Sequence, residues 1–475
     1  MGESEKMKSN KGERRWLYFP MGLLLCMSFA CPDGKCAKPE ECGVEPVCDK
    51  PEGCETPPPE CDKPGGCVTP PPVCDKPEGC DCDKPGSCPP PIPGSIAPNL
   101  LISRGKQTRS SVNSYLSDLV TDGRYRLSAG EEGNIAWSTY DGVGQTNQAG
   151  WVAVYVGQNM TSLPNRVLLK WHSGIEDYTN IGFGSPTAYS IEVSADPAGA
   201  DGTWTELVNV SDNKVRTRTH LLKHAAGIAW VRMQIPLSGQ AHLQWGAQIS
   251  QIDVYDATHL LEEKGKALLY DSWFFLGDSI TAAAFNQATA HGSFADNVKE
   301  QTKGQFFPVH VNGGVAYDNT QRILDRLDSA LEEHPNIRFW AIGIGTNNVG
   351  GGGNGYGLED FRNQLSQIIE RIQAAGRIPV VANIPFNQRQ DSPTACALAR
   401  LDTPKFNEAV QTVIEKTGAR QGPDLYKHFA EKCEQLSDPA NQNQEHIHPT
   451  ATGYKAINQL WADAMAYIYK DYKAP

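Results

Sequence analysis

Four short blocks in the C-terminal half of the chain carry residue types able to do chemistry together. They are Gly277-Asp278-Ser279-Ile280, Asn312-Gly313-Gly314, Gly345-Thr346-Asn347-Asn348 and Glu445-His446-Ile447-His448-Pro449. Acyl transfer by a hydroxyl nucleophile needs such a set. Ser279 follows a glycine that permits a sharp turn and can expose its hydroxyl, and His448 is a candidate general base. Glu445, three residues before it, could hold the far ring nitrogen in the right tautomer. The Asn347 amide is a candidate donor to the oxyanion that forms when an ester carbonyl is attacked, a contribution typically about 3 kcal/mol to the transition state. Each block alone has a plainer reading. Gly-Asp-Ser is a common strand-end turn that caps a helix, and Asn-Asn is a common turn. His446 and His448 could be solvated loop residues, or a metal pair that lacks further ligands at suitable spacing.

The meaning of the blocks therefore rests on the elements that position them. Apolar runs at Trp273–Leu276, Phe306–Val311, Ile337–Ile344 and Ile378–Ile384 read as buried strands. Between them, Phe361, Leu365, Ile368, Ile369 and Ile372 fall on one stripe of a helix. Such alternation predicts a parallel sheet with helices on both faces, a fold that takes ligands at the carboxyl ends of its strands. Every block follows a predicted strand or precedes the last helix, so the fold would gather them on one rim. The glycine run from Gly350 to Gly357 lacks the Gly-Lys-Ser/Thr ending of a phosphate loop and reads as a mobile loop bordering the site.

In that order the blocks resemble those of the SGNH (GDSL-type) hydrolase superfamily, over residues 267–475. The resemblance implies a doubly wound, flavodoxin-like α/β domain and a carboxylic ester hydrolase that needs no metal or cofactor for catalysis. It implies Ser279 as nucleophile, His448 as base and Glu445 as the orienting acid. Asn347 and the backbone N–H groups of Ser279 and of the second block, there taken as Gly314, would form the oxyanion hole. Asp278, Tyr317 and Asn348 are expected to contact substrate. The chain departs from the family at three places: Glu445 stands where Asp is usual, Asn348 closes the third block where Asp is usual, and the glycine spacing of the second block falls on Tyr317.

Residues 96–256 show a different pattern, of short alternating runs broken by Gly, Asn, Asp and Ser, such as Trp151–Val156, Arg166–Trp171, Tyr189–Val193 and Ile252–Tyr255. Period-two alternation with frequent turns predicts an antiparallel β-sandwich. Asp122-Gly123, Trp137-Ser138, Trp151-Val152, the Tyr189–Val193 strand and Trp204 are similar to the galactose-binding-like (discoidin-like) modules. That resemblance implies carbohydrate binding by an exposed ring, from among Trp137, Tyr140, Trp171, Tyr178, Trp204 and Trp245, and a structural calcium ion near Asp122.

The N-terminal part points to export. Lys6, Lys8, Lys11, Arg14 and Arg15 precede an apolar run from Trp16 to Ala30, which reads as a signal peptide over residues 1–30. Residues 31–95 are a Cys/Pro-rich repeat with almost no large apolar residues, expected to stay disordered as a stiff, extended linker. Within it, cysteine pairs such as Cys61/Cys67 share one spacing and suit small disulfide loops in an oxidising compartment. Cys31, left over beside the cleavage point, is a candidate lipidation site. Cys396 and Cys433 are candidates for a disulfide in the last domain, or else small buried apolar residues.

Over 475 residues the net charge of -12, with no basic cluster outside the N-terminus, argues against nucleic acid as partner. The reading is an extracytoplasmic serine ester hydrolase, in the first instance an acetylesterase acting on O-acetylated polysaccharide held by an accessory module. The membrane would be met only through a lipid anchor. Two alternatives stand beside it: a lipase or lysophospholipase, and a surface lectin or adhesin with a dead esterase domain.

Overall fold

The computed structural model describes residues 97–125, 136–141, 146–157, 160–173, 184–240, 246–288, 292–349, 357–386, 402–436 and 447–470. Their N-terminal portion is two antiparallel sheets. Strands β1 (Leu100–Leu101), β2 (Thr108–Ser110), β3 (Gly150–Tyr155), β4 (Arg166–His172), β5 (Tyr189–Ser194), β6 (Thr205–Val210), β7 (Thr217–Lys223), β8 (Trp230–Ile235) and β9 (Gln251–Asp256) build it. One sheet runs β1-β9-β4-β7 and the other β2-β3-β8-β5-β6. Alternate residues from both, among them Val152, Val154, Leu169, Trp171, Ile191, Val193, Val231 and Val254, share one buried core, so the sheets pack face to face.

A five-stranded parallel sheet follows: β10 (Ser272–Gly277), β11 (Val309–Gly314), β12 (Phe339–Gly343), β13 (Ile378–Val381) and β14 (Arg420–Gln421), in the order β11-β10-β12-β13-β14. The chain steps to one side of β10 and then crosses to the other, which makes a topological switch point beside β10. Helices α1 (Ser279–Ala288), α2 (Phe294–Gln301), α3 (Thr320–Glu333), the short α4 (Thr346–Val349), α5 (Leu358–Ala374), α6 (Thr403–Thr417), α7 (Leu425–Glu431) and α8 (Ala451–Met465) surround it. Successive residues of β10 enter opposite cores: Trp273 and Phe275 meet α1, α2 and α8, while Phe274 and Leu276 meet α3, α5 and α6. Both faces are covered, so the strands read as unbroken apolar runs. The predicted helix stripe from Phe361 to Ile372 is fully buried. One predicted strand is shifted: it begins at Val309, not Phe306, since Pro308 has no N–H to give the ladder with β10.

The two sheet systems are not separate beads. Leu168, Tyr255 and Ala257 of the sandwich belong to the same buried cluster as Phe274, Val309 and Ile323. On β4 and β9 the positions that alternation would leave to solvent, Lys170 and Asp253, are 1% and 0% exposed. Lys170 Nζ pairs with Asp253 at 2.8 Å, donates to the Tyr125 hydroxyl, and donates across the boundary to the His310 carbonyl at 2.9 Å. Burial alone would push the Asp253 carboxyl up, but Lys170 and Arg104 beside it outweigh that and hold it well below the usual range. The outer face of these two strands is thus an internal interface.

Candidate functional site

Register brings the first three blocks together. Gly277 lies opposite Gly314 on one side and Gly343 on the other, so β10, β11 and β12 end level at three glycines. The chain then delivers Asp278-Ser279, Val315 to Tyr317, and Ile344 to Asn347 onto one rim. Contact forbids side chains here: a Cβ on Gly314 would lie 2.4 Å from the backbone nitrogen of Ala282, where α1 rests on the end of β11. Gly345 has φ +131°, a conformation that turns the chain from β12 into α4 and that L side chains rarely adopt.

Ser279 opens α1, where helix N–H groups and the macrodipole favour developing negative charge. His448 reaches it from the far end of the domain. Thr450 caps α8 by accepting from Gly453 N at 3.2 Å, and its own N–H donates to the Gln435 carbonyl at 2.7 Å, which pins the segment just after His448. Asn458 of α8 donates to the Ala284 carbonyl of α1 at 2.9 Å, locking the two helices together. The result is a Ser279 Oγ to His448 Nε2 separation of 2.8 Å across 169 residues of chain. That is hydrogen-bonding distance for a nucleophile and its base. Glu445 and His446 lie outside the described residues, as does the glycine run from 350 to 356.

The donor set is assembled differently from the sequence expectation. The Gly314 N–H donates to the Asn312 side chain at 3.1 Å inside the domain, so it is not the donor from the second block. Tyr317 sits where the glycine spacing placed it, with φ 62°, and its backbone N–H makes no hydrogen bond among the described residues. The left-handed conformation is what that position demands, and here a tyrosine adopts it, the residue being 76% exposed. Asn347 Nδ2 donates to the Asp318 carbonyl at 2.8 Å, which orients the amide and leaves its second proton.

Two residues expected at the substrate are buried instead. Asp278 is 2% exposed; its carboxylate accepts from Ile280 N at 2.9 Å at the start of α1. Burial pushes this carboxyl up to about 7, against the pull of the Ile280 N–H and with a further push from the Asp318 charge. It lines a small cavity with Phe275, Thr281, Ile344 and Trp461. Asn348 is 6% exposed and spends its amide on Thr320, donating to Oγ1 at 2.9 Å and accepting from the backbone N at 3.3 Å. Of the block's asparagines only the first faces the rim. Asp318, which anchors that amide, had no signal in the sequence beyond following Tyr317.

In the sandwich, Trp137 and Trp171 are core residues, fully buried. Trp204 is half-buried beneath the Arg232 guanidinium, 4.1 Å from its ring, and Tyr140 is half-buried too; Tyr178 and Trp245 lie outside the described residues. Asp122 accepts from Arg124 N at 2.7 Å, and no group of three or more His, Cys, Asp or Glu placed for a metal occurs among the described residues. Cys433 is disulfide-bonded, whereas Cys396 and Cys31 lie outside the described residues.

A model of the GDSL-like Lipase/Acylhydrolase family matches residues 275–456, a span that includes all four blocks. No curated protein matches the chain. Similar solved structures include Axe2, an acetylxylan esterase from Geobacillus stearothermophilus, at 16% identity, covering 42% of this chain and 95% of that one with a TM-score of 0.32. Another is the lipase/acylhydrolase from Enterococcus faecalis, at 19% identity, covering 43% and 100% with a TM-score of 0.33. A third is the acetyl xylan esterase AlAXEase, at 17% identity, covering 41% and 98% with a TM-score of 0.32.

Proposed function

We propose, from a C-terminal domain that is a GDSL-like carboxylic ester hydrolase, that Ser279 is its nucleophile, His448 its general base, and O-acetylated polysaccharide its substrate. The observation that carries the first two roles is the 2.8 Å contact between Ser279 Oγ and His448 Nε2 at the switch point of the sheet. In this reading His448 takes the Ser279 proton as the hydroxyl attacks the ester carbonyl. The tetrahedral oxyanion is met by the backbone N–H groups of Ser279 and Tyr317 and by the Asn347 amide. His448 returns the proton to the leaving alcohol, then activates the water that releases the acyl group. Glu445 is assigned the orienting carboxylate, one methylene longer than aspartate.

Polysaccharide is favoured because the sandwich, whose sequence resembles modules that often bind sugars, shares a buried cluster with the hydrolase, so a chain held by it would be presented at high local concentration. Fold analogy is the warrant for that step. Export through residues 1–30 and lipidation at Cys31 complete the proposal, and mass spectrometry of the mature N-terminus decides them.

The test uses the purified full chain. It is expected to release acetate from acetylated xylan, to be labelled by a serine-reactive fluorophosphonate at Ser279, and to lose both properties in Ser279→Ala. Release of long fatty acids without acetate would replace this reading with a lipase, and absence of labelling would leave a non-catalytic surface protein.

A further inference from the structure

We propose that Arg326, on the second turn of α3, is a positioning residue that holds the oxyanion hole in register; this rests on the hydrolase reading of the Ser279 site. Its guanidinium touches two of the three strand-end segments that carry the donors, those that follow β10 and β11. Nη2 donates to the Gly313 carbonyl at 2.8 Å and to the Gly277 carbonyl at 3.4 Å. Nε pairs with Asp318 Oδ2 at 2.7 Å, with side chains 15% and 4% exposed. Gly277 lies two residues before Ser279, Gly313 is the penultimate residue of β11 and lies four residues before Tyr317, and Asp318 follows Tyr317 directly.

The third donor is reached through the same residue. Asn347 hangs its amide on the Asp318 carbonyl at 2.8 Å, so fixing Asp318 fixes the Asn347 side chain as well as the Tyr317 N–H. A planar, permanently charged fork suits this position, because three acceptors on two strand-end segments are met by one rigid group. Lysine would keep the charge but present no fork. Because Arg326 touches only backbone carbonyls and a carboxylate behind the rim, it acts through the donors and not on the substrate. The sandwich adds a brace to the same strand end, where Arg216 donates to the Gly314 carbonyl.

The experiment is a double-mutant cycle on the full chain, with a small activated acetate ester as substrate. Arg326→Ala and Arg326→Lys are each expected to lower kcat about 100-fold with KM little changed, the signature of lost transition-state stabilisation. Asn347→Ala should cost about 100-fold or more in the wild-type background but less than about threefold in the Arg326→Lys background, since a misplaced donor has little left to lose. A merely structural Arg326 predicts additive effects, and that result overturns the proposal. So does an Arg326→Lys variant with wild-type kcat. Should Arg326→Ala fail to fold, Arg326→Lys and Asp318→Asn, which breaks the ion pair without changing size, are read in the same cycle. Wild-type protein that neither hydrolyses the ester nor takes up fluorophosphonate at Ser279 defeats the underlying hydrolase reading, a different outcome from an active wild type with additive variants.

Discussion

Two adjacent asparagines should separate catalysis from stability. Asn347 is half-buried on the rim and Asn348 is 6% exposed beneath it, so Asn347→Ala and Asn348→Ala delete the same atoms in opposite environments. Asn347→Ala removes the proposed side-chain donor to the oxyanion, which typically costs 100- to 1,000-fold in kcat, or about 3–4 kcal/mol. It also removes one hydrogen bond to the Asp318 carbonyl, worth about 1 kcal/mol of stability. Asn348→Ala instead leaves the Thr320 N–H without its buried acceptor and removes the amide that donates to the Thr320 hydroxyl, which keeps Gln364 Oε1 as its own acceptor. That should cost about 2–3 kcal/mol of stability, or about 5–10 °C in Tm, with kcat changed by less than about tenfold. Steady-state hydrolysis of an activated acetate ester gives kcat and KM, and thermal unfolding gives Tm on the same samples. Asn347→Ala within about threefold of wild-type kcat, or equal kcat losses in the two variants, would refute the assignment.

Other outcomes follow from the same structure. Lys170→Met should destabilise the chain by about 3–5 kcal/mol by breaking a buried ion pair, and calorimetry should show one unfolding transition because sandwich and hydrolase share a core; two separated transitions would contradict this. Residues 267–475 expressed alone should be insoluble or much less stable than the full chain, as they would expose the surface covered by Leu168, Tyr255 and Ala257. Burial raises both Asp271 and Asp278 to about 7. A raised carboxyl stabilises the fold while it stays protonated, and that contribution is lost as pH rises from the unfolded value of 3.8 through the folded one. Asp271→Asn keeps the acceptor for Trp273 Nε1 and the Tyr469 hydroxyl, and should flatten the fall in stability across that window, by up to about 1.4 kcal/mol per pH unit in urea melts. An unchanged slope would count against it.

Much of the fold was legible in the residues, because the relevant forces are local or periodic. Trp273 to Leu276 reads as a strand buried on both faces, and the stripe from Phe361 to Ile372 reads as a helix with one covered side. The blocks around Ser279, Asn347 and His448 were likewise visible, since glycine turns and the chemistry of each side chain are written in residue type. Three-dimensional packing decided the rest. Which amide near Asn312 is available depends on whether its hydrogen bond is already made, and only the folded chain shows Gly314 committed to Asn312 and Tyr317 uncommitted. Likewise, period two says that Lys170 and Asp253 point away from the sandwich core, but not whether water or another sheet lies there. Arg326 gave no signal at all: a single arginine on an amphipathic helix gains its role from the Gly277 carbonyl, 49 residues away, and from the Gly313 carbonyl and Asp318 carboxylate, which meet only once β10 and β11 pair in register. Sequence determines what each residue is able to do; long-range burial and pairing determine which of those capacities are left free to act.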